Sequence, residues 1–306
     1  MNIVAIRPAP LGDSLLVFPI LAALRTKYPN SHITFLGSPA VLPLAKAWGI
    51  ADETIIPADV QWHELISPAG IHSLALRNLL VESDLVICWL DDSDGWVKKG
   101  LLAIGVKQFI IVPEGEALNA SKHIVEQLAE PLDLELPGKG FIVPSTGWNN
   151  DFCSYNPPIA IHPGCSEEGR RWPAASFASI INQLLRLQCP ILLLAGPSEA
   201  EVLKEVRKRL SSPPHAKLLS ILQNAPLLEV AQQLQQCRGF LGNDSGISHL
   251  AGLLGVPTLV LFGPSNPLTK HPVGPFVETL QAQPMKRLPV DKVLKCILQM
   301  SQFQEV

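Results

Sequence analysis

Gly242-Asn243-Asp244-Ser245-Gly246-Ile247-Ser248-His249-Leu250 is the stretch whose reading decides the fold. Apolar Phe240-Leu241 before it reads as the end of a buried strand. Beyond it, Ile247, Leu250, Ala251 and Leu254 recur at the i, i+3, i+4, i+7 spacing of one helix face. Gly255-Val256-Pro257 stops that helix, and residues 258–262, Thr-Leu-Val-Leu-Phe, form the next apolar run. Asp244 and Ser245 then stand at a strand-to-helix turn, where helix N–H groups lack intrahelical partners and the dipole favours negative charge. Either residue could serve only as an N-cap. A cap alone leaves Gly242, Gly246 and His249 unexplained, so a phosphate site is the preferred reading.

The same rhythm runs outward in both directions. Residues 2–6 read as a strand, Ser14–Lys27 as a helix kinked at Pro19, and residues 32–36, 54–56, 84–88 and 108–112 as further strands with helices between. The rhythm lapses from Pro131 to Pro158, a stretch rich in proline and glycine that marks a connector. It resumes with strands at 159–162, 190–195, 217–221, 239–241 and 258–262, and an amphipathic helix over 290–300 closes the chain. Such alternation is the sequence form of βαβ units on parallel sheets. We read two doubly wound α/β domains, residues 1–150 and 151–306, facing each other across a cleft. Ligands of such sheets bind beyond the carboxyl ends of the strands.

Composition narrows the function. The chain has 306 residues, 47% hydrophobic and 17% charged, enough for two ordinary cores and unlike a disordered chain. A formal net charge of −3 argues against a general nucleic-acid binder, which carries a strongly basic face. Six cysteines at 88, 153, 165, 189, 237 and 296 form no CxxC pair and read as free thiols of a reducing compartment. The N-terminus shows no signal-peptide pattern and no run is long enough to span a bilayer, so a cytoplasmic protein is expected.

Three more strand-end loops carry candidate chemistry. In Arg7-Pro8-Ala9-Pro10-Leu11-Gly12-Asp13-Ser14, Asp13 is either a helix N-cap or a general base for a substrate hydroxyl. His162-Pro163-Gly164-Cys165-Ser166 leads into Gly169-Arg170-Arg171-Trp172-Pro173, where adjacent guanidinium groups suit a diphosphate. Gly196-Pro197-Ser198-Glu199-Ala200-Glu201 offers a carboxylate for a sugar hydroxyl, although acidic residues at helix starts are common for dipole reasons. Asp92-Ser93-Asp94 has the form of a metal-binding DxD, but the following Gly95 makes it a solvated turn, and no metal is expected.

GDS at 12–14, GRRWP at 169–173 and GNDSGISHLAGLLGVPTLVLFGPSNP at 242–267 together resemble glycosyltransferase family 9, the heptosyltransferases of the lipopolysaccharide inner core. The resemblance implies a GT-B fold with an N-terminal acceptor-binding and a C-terminal nucleotide-sugar-binding domain. It implies an inverting transfer with Asp13 as the catalytic base, Arg170 (usually a lysine) and Ser166 at the diphosphate, and Asp244, Ser245, Gly246 and His249 at the donor. The ribose-binding acid falls on Glu199 or Glu201. The implied partners are a nucleotide-sugar donor, ADP-linked and with no metal or other cofactor, and a glycan or glycolipid acceptor that brings peripheral membrane contact. Asp91, Asp92 and Asp94 stand in the first half, where innermost-core members carry basic residues. A non-hydrolysing nucleotide-sugar epimerase and a non-catalytic nucleotide-sugar-binding protein remain as alternatives.

Overall fold

A computed structural model of the chain describes residues 1–113, 121–136, 141–143, 156–210 and 216–300. The chain divides into two compact units, Met1–Gly138 with Pro144–Thr146, and Lys139–Val143 with Gly147–Val306. The expected boundary at 150, much of the expected connector and Cys153 lie outside the described residues.

The first unit is a parallel sheet of β1 (Asn2–Arg7), β2 (His32–Gly37), β3 (Glu53–Ile55), β4 (Leu85–Trp89) and β5 (Phe109–Val112), in the order β3-β2-β1-β4-β5. Its helices are α1 (Leu11–Leu15), α2 (Phe18–Lys27), α3 (Leu42–Ala47), α4 (Leu74–Val81), α5 (Trp96–Ala103) and α6 (Ile124–Ala129). Successive strand side chains point to opposite faces, yet nearly every residue of β1 is buried, so both faces are covered. On one, Val4, Ile6, Val86 and Cys88 pack with Leu76 and Leu80 of α4 and Val97 and Leu101 of α5. In the other half of the core, Phe18 of α2 meets Phe35 and Trp48 edge-to-face at 6.2 and 5.8 Å.

The single kinked helix expected over 14–27 is instead two helices. Pro19 has no N–H to give the Leu15 carbonyl and its ring crowds that carbonyl, so the chain restarts, with Pro19 in the first turn of α2. The first helix also begins earlier than expected. Pro10 is its N-cap, and Ser14 N–H closes the first turn on the Pro10 carbonyl at 2.9 Å.

The second unit is a six-stranded parallel sheet of β6 (Ile159–His162), β7 (Ile191–Ala195), β8 (Leu219–Gln223), β9 (Gly239–Asn243), β10 (Thr258–Phe262) and β11 (Val277–Gln281). The order β11-β10-β9-β6-β7-β8 is the 3-2-1-4-5-6 doubly wound order read from its other edge. Its helices are α7 (Ala174–Arg186), α8 (Ala200–Lys208), α9 (Leu227–Gln235), α10 (Gly246–Leu253), α11 (Pro267–Lys270) and α12 (Val290–Met300). Ile159, Ile161, Leu193, Leu241 and Leu259 form one core with Phe177 and Ile181 of α7, Leu203 of α8 and Ile297 of α12. β11 was not expected from sequence. Its Val-Glu-Thr-Leu-Gln is polar and half-exposed, as an edge strand can be.

In both sheets the chain reverses direction beside the first strand, between β1 and β4 and between β6 and β9. These switch points are where an open parallel sheet receives a ligand, because the loops on either side diverge and leave a crevice at the strand ends.

Candidate functional site

The switch point of the first unit is framed by the loops after β1 and β4. Arg7 ends β1 buried, 4% exposed, with Nη1 3.4 Å from the carbonyl of Trp89 at the end of β4. Burial pushes its guanidinium pKa down, and the nearby Asp13 carboxylate opposes that shift. Asp13 is exposed on α1, the third residue of the helix and within its first turn. It is therefore not the N-cap, which leaves the favourable helix dipole as its structural role and proton transfer as its chemical one. Beneath it Ser14 is fully buried and gives its hydroxyl to the Ala9 carbonyl at 2.7 Å, fixing the turn.

After β4 the acidic loop is occupied with its own backbone. Asp92 accepts from the N–H groups of Val97 (2.7 Å) and Lys98 (3.3 Å) at the start of α5, and Asp91 accepts from Ser93 N–H at 3.1 Å. These are helix-start and Asx-turn bonds. Among the described residues no three His, Cys, Asp or Glu side chains cluster as a metal site.

The second unit brings Arg170, Asp244, Ser245 and Glu199, of its predicted residues, together around the β6/β9 switch point. Ser245 is the N-cap of α10, but its hydroxyl makes no cap bond. Its Oγ instead lies 3.3 Å from His162 Nδ1 and 3.4 Å from Ser248 Oγ. The Gly246 and Ile247 N–H groups at the start of this eight-residue helix are therefore left without a side-chain cap. Gly255, with φ +73, ends α10 in a Schellman turn, its N–H on the Gly252 carbonyl and Val256 N–H on Ala251 at 3.2 Å. His249 is buried in the helix at 6% exposure.

Arg170 Nη1 lies 3.2 Å from Oδ2 of Asp244, which is 4% exposed, and Nη2 bonds Glu167. Its pKa is driven down by burial and up by both carboxylates, which prevail, so the cation is held firmly. Arg171, the other half of the expected pair, donates Nε to the Cys165 carbonyl at 2.9 Å and fastens its own loop. Ser166 is exposed in that loop, and no described contact links it to Arg170 or Asp244.

Glu199 and Glu201 separate clearly. Glu201 is exposed and 3.9 Å from Lys204. Glu199 turns inward: its carboxylate accepts from Gly196 N–H and lies 3.3 Å from His162 Nε2, with a side chain only 14% exposed. Burial pushes its pKa up, but the hydrogen bond from His162, the Gly196 N–H and the charge of Arg171 outweigh this and hold it below the usual carboxylate range. A Cβ on Gly164 would come within 2.5 Å of the Glu199 side chain, so only glycine leaves room for this arrangement.

Three residues without an assigned role in the sequence complete the site. Asn243, fully buried, accepts from Trp172 N–H (3.0 Å) and donates to the Pro163 (2.9 Å) and Gly164 (3.2 Å) carbonyls, stitching the β6 loop to β9. Cys165 Sγ–H points to the Asp244 carbonyl at 3.2 Å. His162, 3% exposed, joins Glu199 to Ser245. A polar residue ending the apolar run Ile-Ala-Ile was the available signal for His162. For Asn243 and Cys165 only adjacency in the motif spoke.

The family model for glycosyltransferase family 9 (heptosyltransferase) matches residues 129–297, more than half of the chain. Lipopolysaccharide heptosyltransferase 2 of Salmonella typhimurium is 28% identical over 115 residues, 37% of this chain and 33% of that protein. The first curated relatives are thus matched over about a third of their length. Lipooligosaccharide heptosyltransferase 2 of Campylobacter jejuni is 22% identical over 84% of this chain and 80% of its own. The solved E. coli ADP-heptose LPS heptosyltransferase II superposes with a TM-score of 0.76 at 19% identity, covering 100% of each chain. Likeness of that extent shows a GT-B fold with two Rossmann-like domains. The chain belongs to glycosyltransferase family 9, the heptosyltransferase family.

Proposed function

We propose that this protein transfers a sugar from a nucleotide sugar to a lipopolysaccharide-type glycan or glycolipid acceptor, with inversion at the anomeric carbon. ADP-heptose is the implied donor, since the family is that of the heptosyltransferases and the solved E. coli relative is named for ADP-heptose. The observation that carries the reading is the cation of Arg170, tethered by Asp244 beside the uncapped start of α10. A diphosphate leaving group gains negative charge as the glycosidic bond breaks, and fixed positive charge with oriented amides stabilises it. Ser166, Ser245, Gly246 and His249 belong to the same donor site in this reading, and Glu199 accepts a ribose hydroxyl through the carboxylate oxygen turned from His162.

Asp13 is the proposed general base, accepting the acceptor hydroxyl proton as the oxygen attacks. Its exposure at a sheet switch point, without a capping duty, supports that role. Arg170 and the helix amides supply the charge that a divalent cation supplies elsewhere, so the proposal includes no metal. The acceptor would bring the protein to the cytoplasmic face of a membrane. Among the described residues no helix is long and apolar enough to cross one.

Incubation of purified protein with ADP-heptose and a heptose-deficient lipopolysaccharide core tests the reading. Acceptor-dependent ADP release that survives EDTA, with a product of inverted anomeric configuration, is expected. Release requiring a metal would overturn metal independence. Isomerised sugar nucleotide without transfer would favour an epimerase.

A further inference from the structure

His162 holds a position the proposed transfer does not use. It ends β6 with its ring buried, Nε2 3.3 Å from Glu199 Oε2 and Nδ1 3.3 Å from Ser245 Oγ. The charged groups on the elements packed around it are Glu199 beyond β7, Asp244 beyond β9, and Arg170 and Arg171 in the loop following β6. Of these, Glu199 is the one that bonds the ring. From the α10 side it meets the Ser245 hydroxyl, and Ser248 Oγ lies 3.4 Å beyond.

The hydrogens can be counted. An ionised carboxylate only accepts, so Nε2 carries the proton shared with Glu199. In a neutral ring Nδ1 is then an acceptor, and it takes the one proton of the Ser245 hydroxyl. Ser248 cannot replace that proton, because it donates its own to the Asn243 carbonyl at 2.5 Å. The Ser245 oxygen therefore turns lone pairs, not hydrogen, toward any anion at the α10 start. A diphosphate oxygen also only accepts. For Ser245 to donate to it, Nδ1 must lose its donor or become one. Protonation at Nδ1 completes the chain: Nε2–H to Glu199, Nδ1–H to Ser245 Oγ, and Ser245 O–H to the phosphate. The imidazolium then lies between two negative groups, which favours its charge.

We infer that His162 is a positioning residue of the diphosphate site, taking one proton from water when a nucleoside diphosphate binds and so turning the Ser245 hydroxyl toward the phosphate. This rests on the donor-site reading above. It couples the carboxylate proposed for the ribose to the hydroxyl proposed for the diphosphate through one buried ring.

Calorimetric titration of the full chain with ADP, at several pH values from about 6 to 9 and in buffers of widely different ionisation heat, reads the protons directly. Wild-type protein should take up more protons per ADP than His162→Asn, whose amide can still donate to Ser245 but does not titrate. The terminal phosphate of ADP titrates alike in both proteins and cancels in the difference. Wild-type affinity should fall with rising pH by up to about tenfold per unit relative to the variant, the slope for one linked proton. Ser245→Ala keeps the ring and removes the hydroxyl, so it should abolish the excess uptake even if the histidine variant folds poorly. Equal proton counts in wild type and both variants would overturn the inference while leaving the donor site standing. Failure of wild type to bind ADP, UDP or GDP would overturn both.

Discussion

Gly164→Ala tests whether the inward turn of Glu199 organises the second unit. The new methyl would lie 2.5 Å from Cγ and Cδ of Glu199 and 2.6 Å from Oε1, well inside contact distance. The obstacle is the end of a side chain, and Gly164 has no positive φ, so the carboxylate and not the backbone should move. Moving it breaks the contact with His162 Nε2 at 3.3 Å and the bond from Gly196 N–H. Losing one charge-assisted hydrogen bond costs about 1.5–3 kcal/mol. For a unit of this size, 1 kcal/mol lowers Tm by roughly 2–4 °C, so a fall of about 3–12 °C is expected. Urea denaturation of a double-mutant cycle isolates the cause. Glu199→Ala should carry a similar penalty, and adding Gly164→Ala to it should cost almost nothing further, a coupling of about 1.5–3 kcal/mol. Equal penalties for Gly164→Ala in both backgrounds would refute the reasoning.

Other outcomes follow from the same contacts. Arg170→Ala should weaken ADP binding by about 1.5–3 kcal/mol in calorimetry, the range for a charge-assisted hydrogen bond, and unchanged affinity would remove Arg170 from the diphosphate site. Glu167→Gln should instead strengthen ADP binding by up to about 1 kcal/mol, because an exposed carboxylate that competes for the guanidinium is gone; weaker binding would contradict this. Glu199 has a folded pKa below its ordinary 4.5, so its stabilisation is full above that value and is lost as pH falls through the lower folded value. Acid titration of stability should therefore show a shallower decline below about pH 4.5 in Glu199→Gln than in wild type.

Much of the fold was legible because strands buried on both faces read as unbroken apolar runs, as in Ile3-Val4-Ala5-Ile6 and Leu192-Leu193-Leu194. Val277–Gln281 escaped because an edge strand need not be apolar. Helix starts were read less well: Pro19 divided what looked continuous, and Pro10 began a helix ahead of Asp13. At the candidate site, the strand-end loops were visible because glycine, hydroxyl and charge are local signals. The contacts among them were not. His162 meets Ser245 across 83 positions and Asn243 meets the Pro163 carbonyl across 80, and only the pairing of β6 with β9 brings them together. That Glu199 turns inward to His162 while Glu201 stays exposed is likewise a matter of burial, which spacing alone does not carry.

The transfer rate of Asp13→Asn tests the central claim most directly. Asparagine keeps the size and exposure of the side chain on α1, but its amide cannot accept a proton at neutral pH. General-base catalysis contributes about 10²–10⁴-fold, so sugar transfer should fall by that factor while ADP affinity stays unchanged and stability drops only by the helix-dipole share of the charge, about 0.3–1 kcal/mol. Near-normal transfer by Asp13→Asn would contradict the account and leave the base of this reaction elsewhere.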